Sequence, residues 1–293
     1  MPKRFPLFPL ANASHFRIGG SLAEGLQALL KSRIEGAYQV LPVWGPEEIQ
    51  QQPARERVKL YYFPADAKKP FALVCPGGAY ARVARVREGF PTAAALNQAG
   101  HPAFVLVYRT GLAARHPAPL DDVAQAIRLI RQQASTLGLQ NLAYSIWGYS
   151  AGGHLALSWG ANHLGAPAYH LPKPSTIIAA YPVVNMGEHA HALSRALLLG
   201  RNPSDETIVA HSIEQQITQD YPPTYVWHCT GDPVVSIINS DRLVEVLDLA
   251  GIPCQYKVVP GAAHGWGIAH GTAAEGWFDE ALAFWEKHMT GCG

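Results

Sequence analysis

The sequence predicts an α/β fold in which helices cover both faces of a mostly parallel sheet. Apolar runs of strand length alternate with amphipathic helical patterns along most of the chain. The runs are almost continuously apolar, as expected of strands that are buried on both faces. Such alternation gives parallel strands joined by right-handed crossovers. A chain of 293 residues, 48% of them apolar, has the length of one large α/β domain or two small ones.

The strands are predicted from short β-rich apolar runs. The first run, Val58–Phe63, is interpreted as an antiparallel edge strand. The later runs predicted as core strands are Phe71–Cys75, Ala103–Tyr108, Tyr144–Trp147, Ile177–Tyr181, Thr224–Cys229 and Tyr256–Val259.

Helices are predicted between these strands, where apolar side chains recur at steps of three and four residues. The positions that define the two clearest helices are Leu120, Val123, Ile127, Ile130, Ala134 and Leu137, and then Leu243, Val246, Leu247 and Ala250.

Two segments depart from the alternation. Residues 1–55 are predicted to be an N-terminal extension packed on a core domain of residues 56–293. Within the extension, Ser21 and Glu24 have the spacing of a capping box at a helix start. Residues 182–223 form a connection between two strands that is longer than compact domains usually contain, and such connections are often functional. We expect either a lid over the site or a plain helical excursion there.

The charge balance argues against nucleic-acid and membrane partners. The 23 basic and 22 acidic side chains include no dense Lys/Arg block, and no apolar run reaches the roughly 18 residues that span a bilayer. Pro6 and Pro9 interrupt any apolar core of a signal peptide, so a cytoplasmic location is expected. The four cysteines lack metal-ligand spacing and are expected to be free. The partner is then a small or weakly charged molecule, and the oligomeric state stays open, a homodimer included.

The pentapeptide Gly148-Tyr149-Ser150-Ala151-Gly152 stands between a predicted strand and a helix that begins near Gly153. A serine hydroxyl becomes a useful nucleophile when a strained strand-to-helix turn holds it clear of the sheet. That turn has room only for small residues two positions before and two after the serine, and both positions are glycine here. Ser150 is therefore the predicted nucleophile. A serine that only caps a glycine-rich helix start is the alternative.

An acid and then a histidine are expected to follow the serine along the chain. Asp232 lies on the turn directly after the run that ends at Cys229, and His264 lies on a glycine-flanked loop after the last strand. We predict that His264 is the base and that Asp232 orients it. A turn-forming aspartate and an ordinary loop histidine are the alternatives, with Asp220 and Asp241 as further candidates for the acid.

The tetrahedral intermediate of acyl transfer needs two convergent backbone N–H donors. Ala151, the residue after the nucleophile, should supply one. Gly78 and Ala79 are the candidates for the other. The strand Phe71–Cys75 runs directly into a Gly-Gly pair that lets the backbone approach a substrate, and these two residues occupy the donor positions of the HGGG pattern of lipases and esterases.

These motifs resemble the acetyl-esterase and xylan-esterase-like branch of the α/β-hydrolase serine esterases. The resemblance implies an α/β-hydrolase fold, a Ser/Asp/His triad, no metal or organic cofactor, and hydrolysis of short acyl esters, often acetyl groups on carbohydrates. The chain departs from the family at Ala79, where a third glycine is usual, and at Ser236, where a proline is usual. The matching segments are Cys75–Tyr80, Glu88-Gly89, Ala103–Leu106, Tyr108-Arg109, Trp147–Gly153 with His154, Ala180–Val183 and Gly261–Gly265.

Aromatic side chains flank the three predicted catalytic loops. Tyr80, Tyr149 and Trp266 are predicted to line an apolar substrate pocket, although aromatic residues beside such a turn can also simply pack.

Two charged or titratable residues receive supporting roles. His154 is expected to be a packed, hydrogen-bonded histidine on the helix after the nucleophile. Arg109 is expected to pair with Glu88 or Asp121 and so to order the loops around the site.

The sequence therefore favours a serine carboxylesterase that cleaves short-chain acyl esters, acetyl esters first, through an acyl-enzyme. A serine peptidase or amidase is the second hypothesis, because the same triad attacks amides. A hydrolase-like protein that binds a ligand without turning it over is the third, and a broken triad would mark it. All three triad positions are filled here.

Overall fold

The computed structural model describes residues 38–289. Most of the predicted extension, with its capping box at Ser21 and Glu24, lies outside the described residues, as does Cys292. The three cysteines that are described, Cys75, Cys229 and Cys254, form no disulfide with one another.

The strands of the described chain form one eight-stranded sheet with the order β1-β2-β4-β3-β5-β6-β7-β8. The first two strands are antiparallel to their neighbours, and every other pair is parallel. The predicted mostly parallel sheet is therefore confirmed. The strand bounds are β1 Gln39–Pro42, β2 Lys59–Phe63, β3 Phe71–Cys75, β4 Ala103–Val107, β5 Tyr144–Tyr149, β6 Thr176–Ala180, β7 Thr224–Cys229 and β8 Cys254–Val259.

Helices connect the strands and cover the sheet on both faces, as predicted. Short 3₁₀ turns and one π-helical turn at Arg85–Gly89 join them. The α-helices of the described residues are α1 Pro46–Gln51, α2 Phe90–Gln98, α3 Ala118–Gln132, α4 Ala151–Gly160, α5 Ala192–Leu199, α6 Asp205–His211, α7 Ile238–Leu249 and α8 Trp277–His288.

Within residues 38–289, none of the helices is both long enough and apolar enough to cross a membrane.

The edge of the sheet differs from the prediction. The strand predicted at Val58–Phe63 is antiparallel, but β1 pairs with its outer side in the register Val40↔Tyr61, so it is the second strand and not the edge. β1 belongs to the predicted extension, which therefore contributes to the sheet. A mostly exposed strand of four residues that ends at Pro42 carries almost no apolar periodicity, and short, proline-bounded strands are typical of sheet edges.

The strands divide the core into two clusters because successive side chains point to opposite faces of the sheet. In β3, Leu73 and Cys75 pack with Ile127 of α3 on one face. Ala72 and Val74 pack on the other face, in the cluster that contains the apolar side chains of α2 and α8. All five residues of β3 are fully buried, which explains the continuous apolar run in the sequence.

The carboxyl ends of the parallel strands meet at one edge of the sheet. The loops after β3, β5, β7 and β8 all leave from this edge. In open α/β sheets this is where ligands bind, and these four loops carry the predicted donor, nucleophile, acid and base.

Candidate active site

The predicted nucleophile occupies the sharp turn between β5 and α4. Ser150 has φ 53° and ψ −120°, and the helix begins at the next residue, two positions earlier than predicted. A Cβ atom at Gly148 would lie 2.3 Å from the carbonyl oxygen of Gly152, and one at Gly152 would lie 2.1 Å from the carbonyl oxygen of Cys75. Any side chain at these two glycines would therefore displace the backbone around Ser150.

The structure brings the three predicted triad side chains into one hydrogen-bonded chain. The Nε2 atom of His264 lies 2.9 Å from the Oγ atom of Ser150, and its Nδ1 atom lies 2.6 Å from the Oδ2 atom of Asp232. When Nδ1–H donates to the carboxylate, Nε2 is left free to accept the serine proton. The alternative acids, Asp220 and Asp241, instead accept hydrogen bonds from a lysine and a tyrosine elsewhere.

Asp232 is surrounded by hydrogen-bond donors. Its Oδ1 atom accepts the backbone N–H groups of Val234 at 2.8 Å and Val235 at 2.9 Å, and its Oδ2 atom lies 3.2 Å from Nε2 of His228. Burial alone would raise the pKa of Asp232, but the hydrogen bonds from His228 and His264 outweigh it and hold this pKa well below its usual range. Asp232 therefore stays ionised.

His228 was missed as a functional residue. It is fully buried inside β7, where its Nδ1 atom lies 2.7 Å from the Oγ atom of Ser240 and its Nε2 atom 3.0 Å from the carbonyl oxygen of Val235. A histidine in an otherwise apolar strand, four residues before the acid, is the signal that could have indicated it.

The predicted donor loop has an unusual backbone. Gly78, Ala79 and Tyr80 have φ values of 122°, 59° and 57°, so three successive residues lie at positive φ. Among the described residues, the backbone N–H groups of Gly78 and Ala79 donate to no protein acceptor. Ala151 is the first residue of α4 and has no intrahelical acceptor for its N–H either. These three N–H groups are the ones predicted to receive a developing oxyanion.

A buried carboxylate, Glu88, supports this loop. It is 4% exposed, and its Oε2 atom accepts the N–H of Gly77 at 2.6 Å. Its Oε1 atom accepts the hydroxyl of Tyr181 at 3.0 Å, and that hydroxyl accepts the N–H of Gly267 at 3.1 Å. Burial raises the pKa of Glu88, and these hydrogen bonds only partly oppose the shift. The sequence matched Glu88 to a family motif without assigning it this role.

A cavity of about 480 Å³ opens over the nucleophile. The segment 182–223 forms one of its walls through His191 and Leu193, and burial lowers the pKa of His191, which favours its neutral form. The other side chains and backbone groups that line the cavity include Gly78, Ala79, Arg82, Arg87, Glu88, Ser150, Val234 and His264.

The three predicted pocket aromatics do not line this cavity. Tyr80 and Tyr149 are 1% and 0% exposed. The Tyr80 hydroxyl bonds to the Nδ1 atom of His154 at 2.9 Å, and the Tyr149 hydroxyl bonds to the Oγ1 atom of Thr92 at 2.5 Å. Trp266 packs against the core cluster that contains α8. The prediction is corrected: these residues adjoin the catalytic loops along the chain, but Tyr80 and Tyr149 are buried in the core and half-buried Trp266 packs against it.

The two supporting predictions have different outcomes. His154 is packed and hydrogen-bonded as expected, with Nε2 lying 2.8 Å from the carbonyl oxygen of His211, and burial lowers its pKa to about 3. Arg109 does not pair with Glu88. It does form the predicted ion pair with Asp121, at 3.5 Å, but its closer partner is buried Asp122, whose Oδ1 atom lies 2.9 Å from the Nε atom.

The segment 182–223 is attached firmly to the domain. Its two helices, α5 and α6, follow a stretch in which the backbone N–H groups of Val184 and Asn185 both donate to the Oδ1 atom of Asn239, each at 2.9 Å. The helical excursion is therefore observed, and the lid function stays a prediction.

Comparison with known proteins gives consistent matches. The BD-FAE family matches residues 60–247. The chain is 34% identical over 222 residues to endo-1,4-beta-xylanase B of Butyrivibrio fibrisolvens and 27% identical over 198 residues to an acetylxylan esterase of Xylanibacter ruminicola. These alignments cover 72% and 66% of this chain, but the chain spans only 35% and 40% of the length of the two relatives.

Solved structures give the same result for the fold. The acetyl ester-xyloside bifunctional hydrolase from Caldicellulosiruptor lactoaceticus has a TM-score of 0.75 at 29% identity, covering 85% of this chain and 96% of that one. An α/β hydrolase enzyme from a deep-sea metagenome library has a TM-score of 0.63 at 23% identity, covering 79% of this chain and 93% of that one.

Proposed function

The chain belongs to the BD-FAE family and has the predicted α/β-hydrolase fold, and on that premise we propose that it is a serine carboxylesterase for short acyl esters. The proteins that it is similar to include an acetylxylan esterase and an acetyl ester-xyloside bifunctional hydrolase. The predicted resemblance to acetyl and xylan esterases is thereby confirmed. We propose acetyl groups on carbohydrates as the substrate class.

The observation that carries the proposal is the unbroken hydrogen-bonded chain from Ser150 through His264 to Asp232. In the proposed reaction, His264 Nε2 takes the hydroxyl proton of Ser150 while Oγ attacks the ester carbonyl. The ionised Asp232 stabilises the imidazolium that forms. The oxyanion is received by the N–H of Ala151 together with the free N–H groups of Gly78 and Ala79.

The second half of the reaction uses the same groups. His264 gives its proton to the leaving alcohol oxygen as the tetrahedral intermediate collapses, which leaves an acyl group on Ser150. Water then attacks this acyl-enzyme, losing a proton to His264, and the acid leaves as Ser150 recovers its proton. These steps use only side chains and backbone groups of the chain itself.

Replacing the nucleophile tests the proposal. Ser150→Ala should lower kcat for a chromogenic acetyl ester by about 10⁴-fold or more, because the attacking atom is lost. The far-ultraviolet circular dichroism should be unchanged, since a small hydroxyl contributes little to packing. Ser135→Ala is the matched control, because Ser135 is exposed and precedes the amino end of β5, opposite the edge of the sheet that carries the site.

A serine-reactive phosphonate should label the wild type and the Ser135→Ala control but not Ser150→Ala. Retention of a tenth of the wild-type kcat in folded Ser150→Ala would contradict the assignment of the nucleophile. An aminoacyl anilide in the same assay separates the esterase from the peptidase hypothesis.

A further inference from the structure

A second concavity of about 740 Å³ adjoins the site cavity. The two share Ala81, Arg82, Ala84 and Arg87 as lining residues, so they meet along this segment beside the donor loop. We name the second concavity the arginine groove. Its exposed basic side chains are Arg57, Arg82, Arg85 and Arg87.

The positive charge of this groove has no salt-bridge partner in the described structure, although the charge of Arg87 acts on buried Glu88 in the adjoining cavity. No aspartate or glutamate lines the groove, and its four exposed arginines form no salt bridge with any side chain of residues 38–289. A fifth arginine, Arg109, also lines it but is neutralised by Asp122. Because the whole chain has a formal net charge of only +1, this concentration of charge is local.

The groove is built next to the catalytic loop. Three of its arginines come from the short segment that joins the donor loop to α2, and part of this segment is the π-helical turn Arg85–Gly89. Such turns are frequent at functional sites. A Cβ atom placed on Gly78 would lie 3.0 Å from Cγ of Arg82, so the stem of Arg82 packs directly on the donor loop. A short acyl group ends within the cavity over Ser150, so the alcohol part is the part of a bound ester that can reach these guanidinium groups.

We propose that the arginine groove binds an anionic group, a carboxylate or a phosphate, on the alcohol part of the ester. This inference rests on the proposed esterase function and narrows its substrate class to acylated acidic sugars. Guanidinium groups match planar carboxylates and phosphates with paired N–H donors. A neutral sugar would leave the four like charges along the groove unpaired, whereas an anion offsets their repulsion. The overall charge balance predicts a weakly charged partner, whereas the local charge of the groove leads to an anionic one.

Three sugars with the same acetyl groups and different groups at C6 test the proposal. They are the methyl 2,3,4-triacetyl glucuronoside with a free carboxylate, the neutral methyl 2,3,4-triacetyl glucoside with a free hydroxyl, and the 6-phosphate of the latter. The wild type should cleave at least one of the anionic esters with a kcat/KM about tenfold above that of the neutral one, and the preference should shrink at high salt. The carboxylate and phosphate arms identify which anion is preferred.

Arg57→Gln and Arg85→Gln are the informative variants, because both arginines line the groove and neither lines the cavity over Ser150. Both are exposed, so folding should be unaffected. Each should lower the preference for the anionic ester about threefold, the effect expected of one exposed ion pair, and the double variant should lower it further. The control is Arg242→Gln, at an exposed position of α7, which should leave the preference for the anionic ester unchanged.

Calorimetric titration of the Ser150→Ala protein with the same sugars separates this inference from the proposed function. Tighter binding of an anionic sugar, lost in Ser150→Ala combined with Arg57→Gln and Arg85→Gln, supports the groove even if no ester is cleaved by the wild type. Equal affinities for charged and neutral sugars, or a preference that survives the double arginine substitution, would overturn the inference.

Discussion

Ser150 lies between two sides of the site whose loops are held in place in different ways. On the acid–histidine side, the charged carboxylate of Asp232 accepts hydrogen bonds from two backbone N–H groups and from His264. The bond to His264 joins the loops after β7 and β8. On the oxyanion side, the loop after β3 contains consecutive residues at positive φ, including Ala79, and Glu88 lies beneath it. The acid–histidine side therefore depends on the ionisation of Asp232, and the oxyanion side depends on the backbone geometry of the loop after β3.

The two buried carboxylates show how strongly the number of donors matters. Burial pushes the pKa of both Asp232 and Glu88 upward. Asp232 has donors on both oxygens, two of them histidines, and its pKa ends well below the usual range. Glu88 has one backbone N–H and one hydroxyl as partners, and its pKa stays raised. Burial alone therefore does not decide whether a carboxylate is ionised at neutral pH.

The largest effect should come from removing the charge on the acid–histidine side. Asp232→Asn should lower kcat by about 10⁴-fold, because an amide can donate to Nδ1 of His264 and so leave the proton on the wrong nitrogen. The measurement is kcat for acetyl ester hydrolysis at saturating substrate, in the wild type and in Asp232→Asn. Glu88→Gln is the matched control, a carboxylate-to-amide change on the other side. A loss below about 100-fold in Asp232→Asn would indicate that Asp232 does not orient the base.

The oxyanion side should respond less to the equivalent change. Glu88→Gln should lower kcat about tenfold, well short of the loss of an oxyanion donor. The amide has a single acceptor oxygen, so it cannot accept both the N–H of Gly77 and the hydroxyl of Tyr181, and one of these hydrogen bonds is lost. The KM for acetyl esters should change little if Glu88 acts only by positioning the loop. A kcat equal to that of the wild type would show that the backbone holds its geometry without this side chain.

The dependence of stability on pH should also distinguish the two carboxylates. The lowered pKa of Asp232 stabilises the fold above the ordinary aspartate pKa, and this stability is lost as the pH falls through that value and below it. The raised pKa of Glu88 has the opposite consequence, because the folded state favours the protonated form and stability falls as the pH rises above the ordinary glutamate pKa.

Thermal unfolding between about pH 3 and pH 8 measures this difference. The Tm of the wild type should fall relative to that of Glu88→Gln as the pH rises. The Tm of the wild type should fall relative to that of Asp232→Asn as the pH falls towards the acid end of this range. Parallel Tm curves for the wild type and Glu88→Gln would contradict a raised pKa at Glu88.

The sequence predicts the residues of the triad but not the residue that supports the donor loop. Ser150, Asp232 and His264 each follow a recognisable strand, and parallel strands bring such positions to one edge of a sheet. Nothing local shows that Glu88 lies under the donor loop, because that contact depends on how α2 packs. Tyr149 was predicted in the pocket from its place beside Ser150. It is the last residue of β5, and strand alternation directs its side chain into the core.

The smallest effect is expected at Ala79, where the oxyanion side departs from the usual three glycines. A left-handed alanine costs roughly 1 kcal/mol relative to a relaxed one, while a glycine there adds a similar conformational entropy to the unfolded chain. These terms nearly cancel, so the Tm of Ala79→Gly should stay within a few degrees of that of the wild type.

Ala79 lines the cavity over Ser150, so the main influence of its methyl group should be on the shape of the acyl site. Ala79→Gly should raise kcat/KM for butyryl esters about threefold relative to acetyl esters, as expected for relief of a methyl-sized contact. The change should be independent of pH, since no charge is altered. An equal loss of kcat for acetyl, butyryl and octanoyl esters would mean instead that the alanine fixes the donor loop, and an unchanged profile would show that Ala79 does not bound the acyl site.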